Sequence, residues 1–205
     1  EYERAALDES TVDHDPIQQF AAWYDAAVAA GVPEPEAMTL STSTADGRPS
    51  ARVVLLRGFD SRGFCFFTNY ESRKGRELAA NPFAALTFHW PDLERQVRIE
   101  GRVEQTSAAE SDDYFRSRPS TSRIGAWSSP QSQVIPDRQS LESLFAHHAE
   151  SHSEAATIPR PAHWGGFRLT PEQIEFWQGR PSRLHDRLRF RGDPTGNWIL
   201  ERLAP

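Results

Sequence analysis

Apolar positions recur first at helical spacing and then at a spacing of two, so the chain opens as a helix and continues largely as a sheet. Asp15 followed by Pro16 pairs an N-cap acceptor with proline at the first helical position. Ile17, Phe20, Ala21, Tyr24, Ala27 and Val28 then share one face until Gly31. Residues 37–43 and 50–57 are strand-like runs separated by the hairpin turn signal Ala45, Asp46, Gly47. A second turn at 60–63 leads to a third strand at 64–68. Residues 72–80 predict a short helix, capped by Ser72 and stopped by Asn81 and Pro82. Residues 83–90 are apolar, whereas 96–105 alternate, with Val97, Ile99, Gly101 and Val103 on one face.

In the second half, Ser107 and Glu110 form a capping box that opens a helix through Tyr114 to about residue 118. Residues 118–136 are rich in Ser, Pro and Gln yet carry Trp127, and read as a site-forming loop with a short helical turn. A helix over about 137–150 leads to a proline-marked loop at 158–161, and strand patterns return around Phe167, 174–177, 188–190 and 198–200. Antiparallel-looking strands dominate, without regular βαβ alternation. The expected class is α+β, one domain over 1–205 with a small antiparallel β-barrel at its centre and helices around it, residues 1–14 forming an N-terminal arm.

Charge and composition narrow the partners. A net charge of −6 argues against nonspecific nucleic-acid binding, which needs a basic footprint, so any anion recognition has to be local. No apolar run approaches the roughly 20 residues of a membrane span, and residues 1–10 are acidic and polar, unlike a secretion signal, so cytoplasmic residence is the expectation. The single cysteine, Cys65, rules out an intramolecular disulfide and a cysteine metal cage, and is expected to be a small buried hydrophobe.

Three basic groups stand out. If residues 183–187 are extended, Arg183, His185 and Arg187 fall on one face, with Leu184 and Asp186 on the other. That face suits an anion or developing negative charge, or it is a solvated strand with Asp186 as counter-ion. Arg73 and Lys74 follow Ser72 at a helix start, where free N–H groups and the helix dipole favour a phosphate; the alternative is a surface helix end. Tyr114 and Arg118 lie one helical turn apart, with Ser122, Gln131 and Ser132 beyond, and either share a ligand or stack on the surface. His147, His148 and His152 lack a zinc-protease arrangement and read as a solvated helix end; no metal is expected.

In these residues the chain resembles the pyridoxamine 5'-phosphate oxidase family. The segments that carry the likeness are RVVLL at 52–56, FTNYESRK at 67–74, LERQ at 93–96, YFRSRP at 114–119, IGAW at 124–127, Gln131 with Ser132, WGGF at 164–167, IEFWQG at 174–179, RLHDR at 183–187 and RLAP at 202–205. Each is short, but their joint occurrence in order spans nearly the whole chain.

The resemblance implies an FMN-binding split β-barrel that forms a homodimer, with flavin sites built from both subunits. It assigns FMN to Arg52, Val53, Val54, Leu55, Phe67, Thr68, Arg73, Lys74, Gln96, Gln131, Ser132, Trp177 and Arg187. It assigns the substrate phosphate to Arg57, Tyr114, Arg118 and Ser122, makes Arg183 and His185 the catalytic pair that positions the pyridine ring, and makes Tyr2 a residue of a lid. The implied reaction oxidises pyridoxamine or pyridoxine 5'-phosphate to pyridoxal 5'-phosphate, with dioxygen as acceptor and hydrogen peroxide as product.

Two positions depart from the family. Arg57 stands where Lys is usual, which keeps the charge but replaces a point donor with a planar fork, and Glu34 stands where members can carry Asp. Two competing functions follow from the resemblance. One is a related flavin oxidase of another aromatic substrate, of the phenazine type, against which Tyr114, Arg118 and Ser122 argue. The other is a non-catalytic module holding flavin or pyridoxal phosphate, against which Arg183 and His185 argue.

Overall fold

The computed structural model describes residues 5–153 and 157–205. Helix α1 (Pro16–Ala29) begins as its sequence requires, with the Asp15 carboxylate accepting the Ile17 N–H at 2.8 Å. Its apolar face delivers Phe20, fully buried, against Phe59, Phe64 and Phe88 at ring-centroid distances of 5.0, 4.9 and 5.0 Å. Burying a ring of this size contributes roughly 1.5–3 kcal/mol, so α1 is fixed to the sheet by packing more than by its intrinsic helical tendency.

Strands β1 (Ala37–Ser43) and β2 (Pro49–Leu55) form the expected hairpin, turning at Gly47, whose φ is 85°. A three-residue strand that the sequence pattern did not announce, β3 (Gly58–Asp60), pairs with β4 (Gly63–Asn69). Helix α2 (Arg73–Ala80) follows, then β5 (Phe83–Trp90) and β6 (Arg95–Gln105). In β6, Val97, Ile99 and Val103 are buried with Gly101, the face that the alternation marked.

Helix α3 (Ala108–Ser117) carries the Ser107–Glu110 capping box. The stretch expected as a loop with a short helical turn contains a full nine-residue helix, α4 (Ser120–Ser128). Its serines and Gly125 have weak helical preference and hid it, but Pro119 sits at the N-cap, outside the helix, and burial of Ala126 favours the helical form. Helix α5 (Arg138–Ser151) packs on α4 and starts from the Asp137 side chain, which accepts the Ser140 N–H.

The chain closes with β7 (Trp164–Gln178), β8 (Asp186–Gly192) and β9 (Trp198–Arg202). The strand patches expected around Phe167 and 174–177 are one continuous 15-residue strand. Every pairing is antiparallel, in the order β2-β1-β5-β6-β7-β4-β3, with β8 on β7 and β9 on β8. Along one edge β7 pairs with β6 from Phe167 to Gln178; along the other, Trp164 to Leu169 pair with β4, whereas Gln173 to Gln178 pair with β8. That division splits the curled sheet, and the result is the α+β split barrel expected.

The bend in β7 is built locally. The β6 register shifts between Glu100 and Gly101, opposite Pro171, which has no N–H to leave unpaired. A Cβ at position 101 would lie 2.0 Å from the Thr170 carbonyl oxygen, so only glycine admits this close approach. Among the described residues, no helix is long and apolar enough to cross a membrane.

Candidate functional site

The hairpin β1–β2, strand β4 and the start of α2 meet α3 and α4 around a cavity of about 1070 Å³. Ser72, fully buried, caps α2 by accepting the Gly75 N–H at 3.3 Å, which places Arg73 and Lys74 in the first turn, where no acidic residue offsets the helix dipole. Lys74 is buried. Its ammonium donates to Thr68 Oγ1 at 3.1 Å, Ser72 Oγ at 3.3 Å and Gln131 Oε1 at 3.1 Å, three acceptors for three N–H bonds. Burial, with the Arg52 charge nearby, pulls this ammonium down to about 8.

Arg52 on β2 and Arg73 converge on one carboxylate, Glu77. Arg73 Nε donates to Glu77 Oε1 at 2.9 Å, and Arg52 Nη2 lies 3.4 Å from Oε2. Burial alone would raise the Glu77 carboxyl, but hydrogen bonds from Ser50, Thr42 and Arg73 outweigh it and hold the group at about 2.

The other end of the cavity is aromatic and cationic. Phe67 stacks on Tyr114 at 3.9 Å and on Trp164 at 5.7 Å, and the Arg118 guanidinium lies 4.6 Å from the Trp164 ring centroid. Arg118 is not on the same helical face as Tyr114: it caps α3 with extended backbone (φ −74°, ψ 149°), and Trp164, which both side chains contact, brings them together. Burial depresses the Arg118 guanidinium; Tyr114 opposes that in part, and the Arg57 charge adds a smaller push downwards. Arg118 Nη1 is buried with no hydrogen-bond partner among the described residues, a donor waiting for an acceptor.

Fourteen of the residues singled out from the sequence line this one cavity: Arg52, Val53, Val54, Leu55, Arg57, Phe67, Thr68, Arg73, Lys74, Tyr114, Arg118, Ser122, Gln131 and Ser132. Five do not. Gln96, Trp177 and Arg187 are register partners in a row across β6, β7 and β8, and His185 packs on Trp177 at 4.7 Å between ring centroids. The extended face drawn through Arg183, His185 and Arg187 is incorrect at its start. Residues Pro181–Arg183 form a 3₁₀ turn with φ of 58° at Ser182 and 61° at Arg183, and strand pairing begins only at Asp186. Pro181 sets that turn, and positive φ at two successive residues breaks the period of two.

The rest of the row is held firmly. His185 Nδ1 accepts the Arg180 N–H at 3.1 Å, and Arg187 donates to both oxygens of Glu175 at 2.8 and 3.1 Å and to the Ala204 carbonyl at 2.9 Å. Asp186 faces the other way, accepting from Leu7 N–H and from Arg202, so the N-terminal segment is tied to the last two strands. Tyr2 lies outside the described residues. Glu34 sits in a turn with φ of 46° and does not line the cavity.

Sequence reasoning missed Glu77 and Trp164 as site builders. Glu77 lies four residues after Arg73, a spacing that predicts an ion pair on a helix; Trp164 opens the WGGF segment, but its place in the cavity depends on β7 running beneath α3. His148 and His152 are only half-exposed and pack against Trp127, at 5.9 and 5.5 Å, so that helix end is less solvated than expected. Among the described residues no cluster of metal-ligating side chains forms.

Residues 24–150 match the family described as Pyridoxamine 5'-phosphate oxidase, and residues 164–205 match the Pyridoxine 5'-phosphate oxidase C-terminal dimerisation region. The chain belongs to the pyridoxamine 5'-phosphate oxidase family. It is 62% identical to the pyridoxine/pyridoxamine 5'-phosphate oxidase of Methylibium petroleiphilum over 205 residues, covering all of this chain and 95% of that protein, and 57% identical to the one of Salinibacter ruber over 206 residues, covering all of this chain and 96% of that protein. Among solved structures it matches PhzG from Burkholderia lata 383 in complex with tetrahydrophenazine-1-carboxylic acid, with a TM-score of 0.91 at 33% identity over 98% of each chain. A pyridoxamine 5'-phosphate oxidase-related, FMN binding protein from Nostoc punctiforme shares the fold, with a TM-score of 0.75 at 19% identity over 95% of this chain and all of that one.

Membership of the pyridoxamine 5'-phosphate oxidase family makes the chain an oxidoreductase of an FMN-dependent class. It also gives the outlying row a context. Trp177, Arg183, His185 and Arg187 all fall within the dimerisation region.

Proposed function

We propose that this chain is an FMN-dependent oxidase of pyridoxamine and pyridoxine 5'-phosphates, forming pyridoxal 5'-phosphate with dioxygen as acceptor and hydrogen peroxide as the second product. The observation that carries the reading is a single cavity with two cationic ends, Arg52, Arg73 and Lys74 at one and Arg57 and Arg118 at the other. A phosphorylated cofactor and a phosphorylated substrate placed side by side need two such ends.

The residues present fit FMN. The first turn of α2, with Arg73 and the buried Lys74, suits a phosphate, and residues Val53, Val54 and Leu55 line the adjoining wall, with Val53 exposed. When bound, FMN supplies the two-electron redox chemistry that the side chains here lack. The protein's own work is placement. Lys74 holds the phosphate as a charge already oriented by Thr68, Ser72 and Gln131. Arg118, with its buried Nη1, takes the substrate phosphate with Arg57, Tyr114 and Ser122, and the stacked Phe67, Tyr114 and Trp164 rings form the apolar wall of that end. In a homodimer, Arg183 and His185 of the partner subunit would orient the pyridine ring, with the Gln96, Trp177 and Arg187 row completing the flavin site.

The alcohol substrate gives aldehyde and peroxide from one dioxygen, and the amine also consumes water and releases ammonia. Expected of the purified protein are a visible flavin spectrum and peroxide production with both substrates. A flavin-loaded protein that turns over neither substrate sinks the reading. The likeness to PhzG supports a second reading, oxidation of a phenazine-type substrate. The same assay with a reduced phenazine carboxylic acid separates the two: turnover of that substrate and of neither phosphate ester favours the second reading.

A further inference from the structure

We propose that Glu77 is a positioning residue for the flavin phosphate, a buried carboxylate that sets Arg52 and Arg73 in the orientation that receives it. The proposal rests on the reading that Arg52, Arg73 and Lys74 hold the phosphate of FMN.

Glu77 is 5% exposed and follows Arg73 by one turn of α2. Its two oxygens have separate partners. Oε1 accepts from Arg73 Nε at 2.9 Å; Oε2 accepts from the Thr42 hydroxyl at 2.5 Å and the Ser50 hydroxyl at 2.6 Å, and lies 3.4 Å from Arg52 Nη2. A buried carboxylate is costly unless paired and hydrogen-bonded, and here β1, β2 and α2 each contribute a donor. Held at about 2, the group is ionised at any pH at which the protein works.

The effect on the two arginines is geometric. Arg52 is caught on both sides, Nη1 by Thr42 at 2.6 Å and the Leu40 carbonyl at 3.2 Å, and Nη2 by Ser50 at 2.5 Å and Glu77. Arg73 has a side chain 59% exposed, and without an anchor it would sample many rotamers. Glu77 binds its Nε, which fixes the guanidinium plane. The two terminal nitrogens make no hydrogen bond among the described residues and are left for a ligand of matching geometry.

A negative charge near a bound phosphate also repels it, so the sign of a neutral substitution distinguishes positioning from repulsion. In Glu77→Gln the amide keeps an acceptor for Arg73, but its NH₂ would face Thr42, Ser50 and Arg52, all of them donors here. The arginines then lose their register.

The test titrates apoprotein with FMN and with riboflavin, which lacks the phosphate, following the quenching of flavin fluorescence. For E77Q the FMN Kd should rise about tenfold while riboflavin binding stays within about twofold, as loosened charge-assisted hydrogen bonds predict. Retained riboflavin binding also reports an intact fold. If E77Q does not fold, T42V carries the test: it keeps the charge, removes one donor to Glu77 and one acceptor of Arg52, and should weaken FMN about threefold with riboflavin unchanged. Unchanged or tighter FMN binding, or equal weakening of both flavins, overturns the role of Glu77. A wild-type protein that does not prefer FMN to riboflavin removes the phosphate reading itself, and this proposal with it.

Discussion

Lys74 Nζ donates to Gln131 Oε1 at 3.1 Å, joining the first turn of α2 to a loop 57 residues further along the chain. The same ammonium is held at about 8 by burial and by the Arg52 charge. A bound phosphate favours the charged form and shifts the group back up. Below about pH 8 the lysine is already protonated, so FMN affinity should be flat; above it each binding event takes up a proton, and affinity should fall by up to about tenfold per pH unit. Fluorescence titrations between about pH 7 and about pH 10 check this, and a flat profile contradicts it. For apoprotein stability the sign is opposite. Between about 8 and 10.5 the unfolded chain binds more protons at this residue than the folded one, so the contribution of Lys74 to stability rises with pH across that window.

Arg118 presents a buried Nη1 without a partner and packs over Trp164. If that nitrogen binds the substrate phosphate, R118A should raise KM for both phosphorylated substrates by roughly 10- to 100-fold, as the loss of a charge-assisted hydrogen bond predicts, while the FMN Kd stays unchanged. Steady-state kinetics alongside flavin titration measure both. A variant that loses FMN affinity and KM together would place Arg118 at the cofactor instead.

Gly75 allows α2 to approach the backbone before it: a Cβ there would lie 2.0 Å from the Tyr70 carbonyl oxygen. Gly75→Ala should therefore displace the first turn, cost about 1–3 kcal/mol in urea denaturation and weaken FMN binding, because Arg73 and Lys74 move with it. Gly58→Ala meets open space and should stay within about 0.5 kcal/mol. Equal effects of the two would show that α2 tolerates the added methyl.

Within one chain the row Gln96, Trp177, Arg187 and the Arg183–His185 turn do not line the cavity. If sites are shared between subunits, an R118A chain and an R183A/H185A chain, each of low activity when assayed at substrate below the wild-type KM, should complement each other when co-expressed. One of the two sites in the mixed dimer would then be intact, and random pairing should return about a quarter of wild-type activity. No recovery in a preparation shown to contain mixed dimers would place every contributing residue in one chain.

Much of the anion chemistry was legible because it is local. Ser72, Arg73 and Lys74 announce a capped, basic helix start through adjacency alone, and the cap forms as written. The strand face of β6 was equally plain, since a period of two survives wherever one side is buried. Failures came where local rules were overridden. The 183–187 segment has strand composition, but two positive φ values at Ser182 and Arg183 turn it before the strand begins. Helix α4 was obscured by its serines, and its formation depends on contacts with α5 and burial of Ala126.

The sequence by itself determined most of the elements, the family and the cationic residue types, because caps, periodicity and ordered motifs are properties of neighbouring positions. Only the tertiary structure decided how those residues divide. It put fourteen of them around one cavity and five outside it, it turned Arg118 out of its helix onto Trp164, and it buried Glu77 between two arginines. Those outcomes depend on β7 parting between β4 and β8 and on α2 lying against β1, contacts between residues far apart in the chain that no local pattern encodes.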